Sequence, residues 1–326
     1  MARRVIGDPV MSALATESVA LIRRMEAEAK TDLFSPTGGL LIGGQKDVAQ
    51  LHRLATEVDE LAQDMRLMDA SELAGRVGVL EGCRAEAGIA TSGCGVVDIH
   101  ALLSLFLKLA RDQGADLRFG HRLEGVDVRS GRVRRAKVNG SWLECETIVN
   151  AAGFGANQIA ELAGLEGLPL TPSRRHLYVT QSWGKIDPDW PFVWDISHGL
   201  YFRPEGGGLL MCACDETAWS DGVVLVDGRM RLRLAEKFST AVPGLRGARP
   251  AHEWAGLRVL TPDGRFVIGR DPRLEGLVWV AGLGGHGMTT AAAVGALAAR
   301  MISEGAGGGR FEQAFDPGRF LGSPPN

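Results

Sequence analysis

The sequence predicts a mixed α/β fold in which a domain built on a parallel sheet is interleaved with a domain of antiparallel strands. Three observations carry this expectation. Leu277 to Ala281 is a short apolar run with Val and Trp, Gly282 to Gly287 bares the backbone, and Met288 onward is Ala-rich. That is the pattern of a buried strand, a glycine turn and a helix. Upstream, Thr147 to Gly153 is a second buried run ending in glycine, and 155–163 turns helical. From Pro172 to Trp254 the texture changes to short β-like runs, and five of the seven tryptophans lie there: Trp183, Trp190, Trp194, Trp219 and Trp254. An aromatic-rich β layer of this kind commonly builds a small-molecule pocket.

The remaining elements follow in order. Asp8-Pro9 starts a helix, with Pro at the first helical position, that runs to about Ala29. Residues 34–44 read as a turn and a strand. Asp47 to Met65 is expected to be one amphipathic helix, since Val48, Leu51, Ala55, Val58 and Ala62 recur at three and four. Asp69 and Glu72 form a capping-box start for a short helix. Asp98 caps a further helix, with Leu102, Leu105, Phe106 and Leu109 as its apolar face and Gly114 as its stop. Asp116 to Phe119 is expected to be a short parallel strand. The runs 126–128, 133–138 and 142–145 then read as an antiparallel meander, turned at Ser130-Gly131 and Asn139-Gly140. Within the β layer the expected strands are 177–183, 192–196, 200–203 and 209–214, interrupted by a helix near 228–239. A Gly-rich stretch follows Ser303.

Composition narrows the function classes. The chain has 326 residues and is 45% hydrophobic, enough for two domains with proper cores. A formal charge of −3 with scattered Arg and Lys leaves no basic footprint for nucleic acid. Five irregularly spaced cysteines argue against a disulfide framework and for a reducing, cytoplasmic setting. Cys212 and Cys214 share one face if they lie in a strand, which points to core packing rather than metal binding. No metal site is expected. No signal peptide follows Ala2-Arg3-Arg4, because no long apolar core comes after them.

The Gly282 to Gly287 turn spells G-x-G-x-x-G, and Glu304 lies about twenty residues on, where a ribose-binding acid would stand. A nicotinamide site does not follow. Glu304 comes straight after the helix, whereas the acid must end a second parallel strand. A membrane span does not follow either: the uncharged stretch is rich in Gly, Ala and Thr and contains His286. What the turn does offer is free N–H groups and the positive end of a helix dipole, an anion and dinucleotide cradle.

At this point the chain resembles a known family, the flavoproteins grouped with D-amino-acid oxidase, glycine oxidase and sarcosine oxidase. The ordered signatures are Val97-Asp98 opening a helix, Val149 to Gly153 closing a strand and Tyr201 to Pro204 before a glycine hairpin. Trp254 to Arg258, Thr261 to Gly264 with Ile268-Gly269, and the Gly282 to Gly287 loop complete the set. The resemblance implies a Rossmann-like FAD-binding domain over 1–30, 92–165 and 253–326, and an antiparallel β substrate domain over 31–91 and 166–252. It implies FAD, held without a covalent link because no cysteine lies between Cys214 and the end. One departure stands out. The family begins with a βαβ unit that holds the adenosine diphosphate half of FAD, and Met1 starts at what looks like the helix after it. A start placed too far downstream, a gene fragment, a separate chain supplying the unit, or a chain that folds as it stands and binds little flavin would each account for this. The strands 147–152 and 277–281 are then expected to lose neighbours.

The resemblance also implies roles. The loop Gly282, Gly284, Gly285, His286, Gly287, Met288 and Thr289 would meet the flavin ring, with Ala151, Ala152 and Gly153 approaching the middle of the cofactor. Leu123 matches a position whose backbone meets adenine, or is an ordinary strand residue. Arg258 is expected to clamp a substrate carboxylate through two parallel hydrogen bonds. Tyr201 would assist, or else pack with a satisfied hydroxyl, and the same packing reading applies to Tyr178. His286 is a candidate base, or a loop residue touching flavin through its backbone. The expected function is FAD-dependent oxidation of the C–N bond of an amino or N-methylamino acid, with oxygen or a carrier as electron acceptor. The alternatives are an inactive fragment or subunit of such an enzyme, or a 2-hydroxy-acid dehydrogenase of the same family.

Overall fold

The computed structural model describes residues 1–305 and 308–322, so the Gly-rich run after Ser303 lies partly outside the described residues. The chain divides into two compact units, 1–98 with 173–257 and 99–172 with 258–326. Residues 1–30 fall in the first of these.

The first unit is built on a nine-stranded sheet. Its order is Thr217–Ala218, Thr171–Thr180, Gly208–Cys212, Leu200–Glu205, Phe192–Asp195, Gly39–Gly43, Ala87–Thr91 and Met65–Asp69, with Pro250–Leu260 also paired to Thr171–Thr180. Of the pairs whose register is described, only Phe192–Asp195 with Gly39–Gly43 is parallel. The register separates the two faces. Leu40, Val193, Phe202, Met211 and Tyr178 stand in one cross-strand row, all buried in the core with Leu234 and Phe238 of the Arg229–Ala241 helix. The next row, Leu41, Trp194, Tyr201 and Cys212, points to the opposite face. The Pro9–Ala29 helix starts as expected: Asp8 accepts from the N–H groups of Val10 and Met11 at 2.8 and 3.1 Å. The Asp69/Glu72 capping box is formed as well.

One expected helix is two. Gln45–Ala55 stops at Thr56, whose hydroxyl turns back to the Arg53 carbonyl at 2.6 Å, and Asp59–Asp64 starts again after extended Val58. β-branched Thr56 and Val58 favour the break, and Asp59 and Glu60 suit a new helix N-terminus.

The second unit has two three-stranded sheets. Leu123–Arg129, Arg132–Val138 and Ser141–Glu144 form the expected meander, with positive φ at both residues of each turn: Ser130 50°, Gly131 71°, Asn139 44° and Gly140 82°. The other sheet runs Val267–Arg270, Leu277–Ala281, Ile148–Asn150. Leu277–Ala281 is paired on both sides, antiparallel to the first and parallel to the last, so it does not lose its neighbours as expected. Ile148–Asn150 has one neighbour among the described residues. Two further expectations fail. Asp116 to Phe119 is irregular, and Phe119 is 68% exposed, because no strand lies beside it among the described residues. The Ile99–Asp112 helix buries only Leu102 and Leu105 and leaves Ile99, Leu103 and Leu109 exposed. No helix among the described residues is long and apolar enough to cross a membrane.

Candidate functional site at a glycine turn

In the second unit, the Leu277–Ala281 strand delivers the chain into the glycine turn, and the Gly287–Ser303 helix leaves it. The strand is anchored from below: Trp279 Nε1 donates to buried Asp271 at 2.9 Å, and Arg273 holds the same carboxylate at 2.7 and 3.0 Å. Burial opposes ionisation of Asp271, but the Arg273 and Trp279 hydrogen bonds outweigh it and hold the carboxyl below its usual range.

The glycines have distinct reasons. Gly282 and Gly284 have φ of 68° and 50°, a conformation that disfavours a side chain. Gly284 N–H donates to the Val259 carbonyl at 3.0 Å, which ties the turn to the strand carrying Arg258. A Cβ at Gly285 would fall 2.6 Å from Arg258 Nη1, so the guanidinium lies against the Gly285 backbone. Gly287 is different: its φ is ordinary, and an added Cβ would make only a normal contact with Leu283. Nothing inside the protein demands glycine there.

His286 stands at the helix N-cap with no side-chain cap bond, and its carbonyl accepts from Thr290 N–H and from the Thr290 hydroxyl. The N–H groups of Gly287 and Met288, in the first turn of the helix, precede the first intrahelical bond, and the dipole places positive charge at them. Met288 is exposed and the Thr289 side chain is buried. Arg258 has no hydrogen bond or ion pair to its guanidinium among the described residues. Structure thus brings Arg258 and the glycine turn together.

The strand end at Ala151, Ala152 and Gly153 is exposed, and Gly153 has φ of 58° with open space where a Cβ would stand. Ala152 lines a cleft of about 910 Å³ together with Leu123, Phe154, Gly155 and Gln158. Leu123 is the first residue of its strand, opposite Val138. Two expected cofactor-contacting segments, distant in sequence, thus share one cleft. The turn, the helix start and this cleft fit a dinucleotide cofactor: bare backbone, N–H groups at the positive end of a helix, and room.

Tyr201 belongs to the first unit and lies on the sheet face away from the core. It is 3% exposed, stacks on Trp194 with ring centroids 4.6 Å apart, and its hydroxyl hydrogen-bonds the Cys212 sulfur. Arg3 lies over the other ring of this pair, 3.8 Å from the Trp194 centroid. Its Nε is buried without a partner, no carboxylate engages it among the described residues, and burial pushes its guanidinium down to about 10. Sequence reading placed Trp194 in the aromatic-rich β layer but did not single out Arg3 or bring the two together. Arg3 lies about 190 positions from Trp194 and carries no local motif. The short 192–196 and 200–203 hairpin was the one signal that could have paired Trp194 with Tyr201. Tyr178 instead sits in the core with an unpartnered hydroxyl, and burial pushes it up to about 12.

The model of the FAD dependent oxidoreductase family matches residues 4–301.

The chain belongs to that FAD-dependent oxidoreductase family.

It is 32% identical over 179 residues to bovine FAD-dependent oxidoreductase domain-containing protein 1, covering 50% of this chain and 37% of that protein. It is 25% identical over 335 residues to monomeric sarcosine oxidase of Streptomyces avermitilis, covering 97% of this chain and 85% of that one. The crystal structure of L-proline dehydrogenase from P. horikoshii superposes with a TM-score of 0.87 at 23% identity, covering 98% of this chain and 85% of the other. That likeness establishes the mixed α/β fold. The chain spans between a third and two thirds of the length of the first curated relatives it matches.

Proposed function

We propose that this family member oxidises the C–N bond of a small amino or N-methylamino acid, with FAD held non-covalently by the second unit. The observation that carries the reading is Arg258, an uncommitted guanidinium laid against the backbone of Gly285 at the start of a helix. FAD, when bound, would supply the acceptor for one hydride, which carries the electron pair, while the amine nitrogen gives up a proton. The chain's own residues do the rest. The N–H groups at Gly287 and Met288 favour negative charge on the cofactor edge that faces them. Ala151 to Gly153 and Leu123 give the cofactor a backbone-lined cleft. His286 contributes through its backbone as helix N-cap.

Arg258 holds the substrate carboxylate in a bidentate grip, which fixes the Cα–H in one direction. Within the first unit, the Tyr201–Trp194 stack with Arg3 is by itself an aromatic and cationic surface suited to a small anion, and Cys212 already engages the Tyr201 hydroxyl. The sarcosine oxidase and L-proline dehydrogenase relatives support a secondary or methylated amine. The exposed apolar residues of the Ile99–Asp112 helix and the open edge of Ile148–Asn150 favour a further segment or partner chain packing there.

The test is Arg258→Met in the flavin-loaded protein. Loss of a charged hydrogen-bonding partner should weaken kcat/KM on a carboxylate substrate by roughly 2–4 kcal/mol, more than tenfold, with FAD still bound. Unchanged kinetics on the best carboxylate substrate would remove Arg258 from the site.

A further inference from the structure

Cys212 closes the Gly208–Cys212 strand, and Cys214 stands just outside it with φ of 50°. The expected strand to 214 therefore ends early, and the two side chains are not simply stacked on one sheet face. The turn brings the chain back on the first sulfur. Cys214 N–H donates to Cys212 Sγ at 3.3 Å, the Cys214 thiol is within hydrogen-bonding reach of the same atom, and so is the Tyr201 hydroxyl. Cys212 Sγ thus collects three donors.

The surroundings are cationic and stiff. Arg175 stands close enough to both sulfurs to favour their ionisation, and Arg3 close enough to Cys214. Arg175 Nε donates to the Asp215 carbonyl at 2.6 Å, and Lys237 Nζ donates to the Ala213 carbonyl at 2.8 Å. The Asp215 carboxylate is turned aside to His176, which receives the Asp227 N–H on its other ring nitrogen. The segment 212–216 is held at nearly every residue.

Cys83, Cys94 and Cys145 are pushed up by burial, Cys94 even though its sulfur accepts from the Arg4 N–H at 3.3 Å and from the Thr91 hydroxyl. Cys212 goes the other way. Burial opposes its ionisation, but the Cys214 thiol, Arg175 and the Cys214 N–H outweigh that and pull it below the usual thiol range, while Cys214 is pushed up by the same shared hydrogen bond. The pair gives up its first proton as a unit and keeps the second between the two sulfurs.

We propose that Cys212 and Cys214 are a redox-active dithiol, an oxidation site at which hydrogen peroxide converts two thiols into one intrachain disulfide. Cys212 is sealed from solvent and Cys214 is partly exposed, which sets the order. The pair's single charge rests mainly on the sealed Cys212, so reaction runs through the minor form in which the shared proton sits on Cys212 and the accessible Cys214 thiolate attacks one peroxide oxygen. The O–O bond breaks, Cys214 becomes a sulfenic acid and hydroxide leaves. The Cys212 thiol then attacks the Cys214 sulfur, the S–S bond forms and water departs. Sulfur loses two electrons in all, and peroxide gains them. When oxygen accepts electrons in pairs, hydrogen peroxide is what forms. That motive rests on the proposed function; the site itself does not.

The test uses the purified full chain, added hydrogen peroxide, alkylation of remaining thiols and peptide mass mapping. The 212–214 peptide should lose two hydrogens and take up no alkyl group, reversibly with dithiothreitol. It should do so roughly tenfold faster than Cys83 or Cys145 are oxidised. Cys212→Ser should leave a dimedone-trappable sulfenic acid at Cys214, and Cys214→Ser should abolish the disulfide with Cys212 unoxidised. Faster oxidation of Cys83 or Cys145, or full alkylation of both 212 and 214 after peroxide, would overturn the proposal. Because the readout is mass, failure here leaves the flavin reading untouched, and failure of the flavin reading leaves this one standing.

Discussion

Gly287 separates a structural need from a functional one. Its backbone is ordinary and its missing side chain would meet nothing unusual, unlike Gly284, where a β-branched residue at positive φ is strained by roughly 1–2 kcal/mol. Gly287→Val is therefore expected to fold normally, with an unchanged melting curve in the flavin-free protein, and to lose flavin binding. A variant that keeps one FAD per chain would mean that the turn does not face the cofactor. Gly285→Ala probes a neighbouring relation. The new methyl would meet only the far end of Arg258, a flexible side chain, so stability should barely change while the guanidinium moves. KM for a carboxylate substrate should rise several-fold with FAD still bound, and an unaltered KM would show that Arg258 need not rest on the turn.

At the scale of elements, the strand that feeds the turn depends on one buried carboxylate. Asp271 accepts from Trp279 and Arg273, and its side chain is fully enclosed. Removing it as Asp271→Ala strands a buried indole N–H and a guanidinium, a loss of about 3–5 kcal/mol. The pH dependence has a definite sign. The folded-state pKa is depressed, so this stabilisation is present above the unfolded value near 3.9 and disappears as pH falls through the folded value. Acid unfolding followed by Trp fluorescence should show the wild type gaining stability with rising pH in that range, and Asp271→Asn lacking that part of the gain. An identical acid profile in the two proteins would exclude the linkage.

The elements also show what a sequence reveals. Strand, turn and helix at 277–303 were legible because apolar run, glycines and alanines follow one another without a gap. The meander at 123–144 was legible from its two turn dipeptides. The break at Thr56–Val58 was not, because apolar spacing continues through it while β-branched backbone preference decides locally. The Arg3, Trp194, Tyr201 and Cys212 cluster was hidden for another reason. It exists only through cross-strand register and a contact between the chain's start and its middle, neither of which leaves a periodic trace.

For the whole molecule, family membership and a cradle of bare backbone make FAD the cofactor, and the open guanidinium makes a carboxylate the proposed handle on the substrate. The uncovered Ile99, Leu103 and Leu109 predict a further packing surface. If a second copy covers this face, Ile99→Glu with Leu103→Lys should reduce self-association in sedimentation, and an unchanged distribution would show that the face does not pair with a second copy. The central claim is tested most directly by mixing flavin-loaded protein with substrate in the absence of oxygen and following the flavin absorbance. An N-methylamino acid or amino acid should bleach the flavin. The corresponding amide, which lacks the carboxylate, should do so more than tenfold more slowly at equal concentration, and Arg258→Met should remove the difference. Equal bleaching by acid and amide in the wild type, or discrimination that survives in Arg258→Met, would contradict this role for Arg258.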